Sequence, residues 1–233
     1  MSGFVYEGSE LAVFARATRW KRYWGAQLSP YLRGRVLEVG AGVGANIACI
    51  LGPDVESWVS LEPDAELARQ IRFPDGLAGE TRVGGLTDLR GDERFDAVLY
   101  ADVLEHIEDD RAEAARAAAH LNEGGCLLAL APAYPFLYSA FDQAIGHYRR
   151  YTKQSLRELT PAGTELVRLR YLDSAGTALS LANRLLLRRS APAQAQIDFW
   201  DRTVVPVSAV LDRWLGFRFG KSVLAIWRKN GAR

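Results

Sequence analysis

Apolar positions along the chain follow two periods. Val36, Leu37 and Val39, then Ser57–Leu61, Ala97–Tyr100 and Cys126–Ala131, form short runs with few polar interruptions, as strands covered on both faces require. A further strand is predicted to end at Val83, and two more over Glu165–Tyr171 and Lys221–Lys229. Helical spacing fills the gaps. Residues 9–31 set Leu11, Phe14, Ala15, Trp20, Tyr23 and Trp24 on one face and predict one amphipathic helix, stopped before Pro30. Asn46–Leu51 and Arg111–Leu121 predict two more helices, the second closed by Asn122–Gly125 as a C-cap. Strands alternating with helices predict an α/β domain over residues 1–233 with a mostly parallel sheet.

Residues 172–220 separate the last two strands by more than a connecting loop needs. This insertion holds a leucine-rich run, Leu179–Leu187, and a stripe of Val207, Val210, Leu211, Trp214 and Leu215 at i, i+3, i+4, i+7 and i+8. The stripe is expected to pack on the domain. Arg184, Arg188, Arg189, Arg202, Arg213 and Arg218 surround it, which leaves a substrate lid, a dimer face and a peripheral membrane contact as roles for the insertion. Monomer and homodimer both remain open.

Composition changes the picture little, but charge does. Hydrophobic residues make up 48% and charged residues 24% of 233, as in ordinary globular proteins. The net charge of +1 hides an asymmetry: residues 145–233 hold sixteen Lys and Arg against six Asp and Glu. A basic C-terminal third favours an anionic acceptor or surface. Cys49 and Cys126 fall in a predicted helix and strand and read as buried thiols, with no Cys-x-x-Cys or compact Cys/His spacing to indicate a zinc or iron–sulfur site. Met1–Glu7 lacks a signal-peptide layout and no apolar run is long enough to span a bilayer, so the expected location is cytoplasmic.

The candidate chemistry begins at Glu38-x-Gly40-x-Gly42-x-Gly44, a strand-to-helix turn. Glycines there let a ligand approach the backbone while the following helix directs unpaired N–H groups toward it. Glu62, followed by Pro63 at the end of the second strand, is placed to accept ribose hydroxyls of an adenosine. A nicotinamide dinucleotide would use the same pair, so these residues alone leave both cofactors open.

The glycine turn with its leading acid resembles motif I of the class I S-adenosylmethionine-dependent methyltransferases, and Phe95-Asp96 with Leu104-Glu-His-Ile107 resembles their fourth-strand pattern. The run Gly146-His-Tyr-Arg-Arg-Tyr151 is similar to that of a bacterial subgroup of this family with varied acceptors. The resemblance implies a Rossmann-like seven-stranded sheet of order 3-2-1-4-5-7-6, helices on both faces and S-adenosyl-L-methionine as cofactor, leaving as S-adenosyl-L-homocysteine. It places Gly85 and Leu86 at the adenine, Ala101, Asp102 and Val103 at the methionine end, and His106 near the transferred methyl. The family's adenine-binding aspartate is replaced by Gly85, and Asp88 nearby is better suited to capping.

The loop after the fifth strand concentrates reactive groups: Tyr134, Tyr138, Asp142, His147, Arg149 and Arg150. His106 and His147 are candidate bases for an O or N nucleophile, and Arg149 and Arg150 candidate holders of a carboxylate or phosphate. A small-molecule, natural-product or lipid- or glycan-linked acceptor is expected, and no nucleic acid, because neither a base-clamping Asn-Pro-Pro-Tyr motif nor a basic–aromatic platform is present. The competing functions are an NAD(P)-dependent oxidoreductase, disfavoured by the final strand, and a non-catalytic cofactor-binding partner subunit.

Overall fold

The computed structural model describes residues 10–186 and 194–231. Arg188, Arg189 and the end of the leucine-rich run at Leu187 lie outside them. Seven strands form one sheet: β1 (Gly34–Val39), β2 (Val55–Glu62), β3 (Ala78–Val83), β4 (Phe95–Ala101), β5 (Leu121–Pro132), β6 (Thr164–Leu172) and β7 (Ser222–Lys229). Their order is β3-β2-β1-β4-β5-β7-β6, as expected. The first five pair in parallel, and β7 runs antiparallel between β5 and β6.

The continuous apolar runs have the predicted cause. Neighbouring residues of β1 and β4 enter opposite layers: Leu37 and Val98 pack with Ala114, Leu127 and Trp227, while Val36 and Leu99 pack with Trp24, Trp58 and Ile226. These central strands thus bury both faces, whereas the edge strands β3 and β6 are only partly covered and carry charged residues along their length.

The helices, also numbered along the chain, are α1 (Glu10–Ala15), α2 (Thr18–Leu28), α3 (Ile47–Ile50), α4 (Ala65–Ala68), α5 (Asp110–Ala119), α6 (Ala140–Ala144), α7 (Lys153–Glu158), α8 (Ser174–Leu186), α9 (Gln194–Phe199) and α10 (Val205–Trp214). A π-helical turn, Trp200–Val204, joins the last two.

Three expectations are corrected. The helix over 9–31 is two helices, broken at Ala17, and the 3-10 turn Ser29–Tyr31 follows them. The break is held by Asp201, whose carboxylate accepts the N–H of Trp20 at 2.8 Å and of Arg19 at 3.3 Å, capping the first turn of α2 from across the fold. Asn122–Gly125 is not a helix cap but part of β5. Leu121 pairs with Phe95 and Cys126 with Ala97, so the intervening residues bulge from the ladder.

The third correction concerns α10. Val207, Val210, Leu211, Trp214 and Leu215 face solvent, Trp214 at 86% exposure, while Ser208 and Asp212 are fully buried. The polar face docks because its carboxylate is satisfied. Asp212 accepts the N–H of Asp173 at 2.7 Å, the N–H of Ser174 at 2.9 Å and the Tyr23 hydroxyl at 2.6 Å. Asp173 in turn accepts from the Gly176 N–H, Ser208 and the Trp200 indole. A buried carboxylate with this many donors is stable where an unpaired one is not. These two aspartates pin the insertion to the end of β6.

Candidate active site

The carboxyl ends of β1 and β4 carry the centre of the site. Gly40 follows β1 with φ +66°, and a Cβ on it would lie 2.7 Å from Val103 Cγ2, so both the turn and its close approach to the end of β4 require glycine. Its neighbour Ala41 donates its N–H to the Leu61 carbonyl at 3.0 Å, which ties the turn to β2.

Two carboxylates lie under this turn. Glu38 is buried and accepts from Asn46 Nδ2 at 2.8 Å and Trp58 Nε1 at 3.2 Å. Burial outweighs these bonds and pushes its carboxyl up to about 7. Glu62 accepts the Gly42 N–H at 2.7 Å and the Asp64 N–H at 2.9 Å, and burial raises its pKa despite both bonds. Asp64 caps α4 through the N–H groups of Glu66 and Leu67, and Asp88 accepts the Gly85 N–H at 2.8 Å.

A cavity of about 430 Å³ opens over the turn. That falls in the size range of small-molecule sites. Of the expected cofactor residues it takes in Gly40, Gly42, Ala101 and Asp102. Glu38, Gly44, Glu62, Pro63, Gly85, Leu86 and Val103 stand outside its lining, the acids because their oxygens turn into the protein. The insertion closes the opposite wall with Leu179, Ile197 and Trp200, and α2 contributes Trp20, Lys21 and Trp24.

Of the loop residues, Asp142, His147 and Arg150 reach the cavity together with His106. The other three do not. Arg149 pairs with Asp110 at 3.0 Å, the Tyr138 hydroxyl donates to the His147 carbonyl at 2.6 Å, and Tyr134 stacks between Phe136 and Tyr171. Asp142 is the centre of the loop. Arg150 donates to it from Nε at 2.7 Å and Nη2 at 2.9 Å, His147 Nδ1 lies 3.0 Å away, and the Ser139 N–H and hydroxyl complete its shell. Burial alone would raise its pKa, but the bonds from His147 and Arg150 win and hold the carboxyl below the usual range.

The two histidine rings meet edge to face at 4.5 Å. Burial, and then the proximity of His147, lowers His106 to about 4, so its imidazole is neutral at physiological pH. Asp102 borders the cavity with its side chain exposed, at φ +57°, an uncommon conformation for an aspartate. The protein crowded around the cavity wall pushes its carboxyl up to about 6, against the pull of His147, Lys21, Lys221 and Arg150.

Three ionisable lining residues stand outside the site expected from sequence: Glu105, Lys21 and Lys221. Glu105 sits inside the Leu-Glu-His-Ile pattern, but only the 3-10 turn Leu104–His106 reveals that it points inward. Lys221 lies 3.4 Å from Asp173 and 3.8 Å from the centre of the Trp200 ring. Its place beside the cavity follows from the antiparallel pairing of β7 with the end of β5.

The family match decides among the possible cofactors. Residues 14–189 match a family described as "Methyltransferase domain". The chain belongs to that family. Among solved structures, the methyltransferase chain is similar to one from the complex between the Haloferax volcanii Trm112 methyltransferase activator and its candidate methyltransferase, at TM-score 0.62 and 18% identity over 96% of this chain and 97% of that one. It is also similar to the N-methyltransferase NodS from Bradyrhizobium japonicum in complex with S-adenosyl-L-homocysteine, at 0.59 and 14% over 92% and 88%. A third likeness is to an S-adenosylmethionine-dependent methyltransferase from Clostridium acetobutylicum, at 0.59 and 11% over 95% and 96%. No curated protein matches the chain. The chain is thus an enzyme with the fold of S-adenosylmethionine-dependent methyltransferases.

Proposed function

We propose that the whole chain, as one domain, transfers a methyl group from S-adenosyl-L-methionine to an O or N nucleophile of a small-molecule, natural-product or lipid- or glycan-linked acceptor. The observation that carries this is that one cavity joins the glycine turn to the His106–His147 pair. The side-chain-free approach at Gly40 fits the cofactor, and Ala101 and Asp102 border its methionine end. We assign Glu62 to the ribose, reached by release of the Gly42 N–H, and Gly85 and Leu86 to the adenine edge.

The bound sulfonium supplies an already activated methyl group. The protein's part is therefore to hold the nucleophile in line and to manage its proton. In the metal-free protein His147 takes that proton at Nε2, while Asp142 fixes its tautomer through Nδ1 and Arg150 fixes Asp142. Lys21 and Lys221 are the cationic groups of the lining suited to carboxylates.

The exposed stripe on α10 supports an acceptor carried at a membrane. Trp214 and four aliphatic residues lie beside the exposed Arg202, Arg213 and Arg218, a combination that suits an anionic bilayer surface. None of the described helices is long and apolar enough to cross a membrane.

Mass spectrometry of acceptor panels incubated with methyl-labelled cofactor tests the proposal. A product heavier by one methyl, lost in His147→Ala with cofactor binding intact, is expected. Cofactor binding without transfer to any hydroxyl, amine or carboxylate acceptor in the panels would favour a non-catalytic partner subunit.

A further inference from the structure

Glu105 is fully buried, and neither of its carboxylate oxygens has a hydrogen-bond partner. Such a group is costly and calls for a counter-charge. His147 Nε2 lies 3.8 Å from Oε1, beyond hydrogen-bond range.

One donor atom from each of Glu105, His106 and His147 lies within 4.8 Å of the other two. Bonds of about 2.0–2.2 Å to a tetrahedral ion place its ligands about 3.4 Å apart, so closing the site takes shifts of roughly an ångström. The outer contacts are those of a metal centre. His147 is oriented through Nδ1 by the Asp142 carboxylate, which turns Nε2 toward Glu105, and the Gly146 carbonyl holds the His106 ring. Ligating histidines are characteristically held by a carboxylate or carbonyl on their other nitrogen.

We infer that Glu105, His106 and His147 form a binding site for one divalent transition-metal ion, zinc by donor preference, with its remaining positions open to the cavity. Two imidazoles and one carboxylate are a donor set of catalytic zinc sites. The separation in sequence between Glu105-His106 and His147 hides the site from motif spacing. The use of the ion rests on the methyl-transfer proposal: an acceptor oxygen bound to it gives up its proton to water more readily, and His147 then serves as ligand instead of base. Binding itself does not rest on that proposal.

The test is titration of the chelator-stripped chain with Zn²⁺ against a chromophoric competitor, with S-adenosyl-L-homocysteine binding measured on the same samples. One equivalent of zinc is expected, weakened about 100-fold in Glu105→Gln and His106→Gln and about 10-fold or more in Asp142→Asn. Retained S-adenosyl-L-homocysteine binding by Glu105→Gln reports that the variant is folded. A wild-type chain that binds S-adenosyl-L-homocysteine but no zinc, or equal zinc binding in Glu105→Gln, would overturn the site. Zinc binding without S-adenosyl-L-homocysteine binding would leave the site standing and overturn the methyl-transfer proposal instead.

Discussion

His147 is held between two carboxylates, with Nδ1 3.0 Å from Asp142 Oδ1 and Nε2 3.8 Å from Glu105 Oε1. The first contact is structural in geometry and the second faces the cavity, so one ring connects the loop's scaffold to its chemistry. Asp142→Asn keeps the side chain's shape but weakens its hold on His147 and leaves the half-buried Arg150 with a neutral partner. The expected result is a fall in kcat of about 10–100-fold with KM for the cofactor little changed. An equal rise in that KM would place Asp142 in cofactor binding.

Glu38 predicts a pH dependence of stability. Its folded pKa of about 7 lies above the ordinary 4.5, so the folded state holds this proton more tightly than the unfolded one. Its carboxyl therefore costs nothing below about pH 4.5, and stability falls as pH rises from there through 7, by about 3 kcal/mol in all. Urea unfolding at pH 5.5 and 8 should show this loss, smaller in Glu38→Gln. An unchanged slope in the variant would place the titration elsewhere.

Asp212 anchors the insertion by three hydrogen bonds, all accepted from buried or half-buried donors. Asp212→Ala should cost about 3–5 kcal/mol and lower Tm by roughly 6–15 °C, because the donors of Asp173, Ser174 and Tyr23 are left unpaired. Val210→Ser, on the exposed face of the same helix, should change Tm little. Similar losses in both variants would contradict the inverted orientation of α10.

That orientation was illegible in the sequence for a physical reason. An apolar stripe reports which residues share a helix face, and it does not report which face is inward. The decision rests on partners far along the chain, Asp173 and Tyr23 for Asp212, and Asp201 for the start of α2. The central strands were legible because burial on both faces makes them largely apolar, and the antiparallel β7 followed from the family resemblance. Gly40, Asp102 and His106 border the cavity because a strand end and its turn are local features. Arg149 lies outside its lining, and only the fold shows Asp110 within its reach.

The outward stripe makes its own prediction. The chain should float with phosphatidylglycerol vesicles and not with neutral phosphatidylcholine ones, and its fluorescence should shift blue as Trp214 enters the interface. Trp214→Asp with Leu211→Asp should abolish flotation while leaving S-adenosyl-L-homocysteine binding intact. Equal binding of the double variant would assign the contact to another surface.

Calorimetric titration with S-adenosyl-L-homocysteine, run beside NAD and repeated on Glu62→Ala, tests the central claim most directly. One-to-one binding of the sulfur ligand alone, weakened in the variant, is the predicted result. Binding of NAD without S-adenosyl-L-homocysteine would contradict the assignment of the glycine turn and its cavity to methyl transfer.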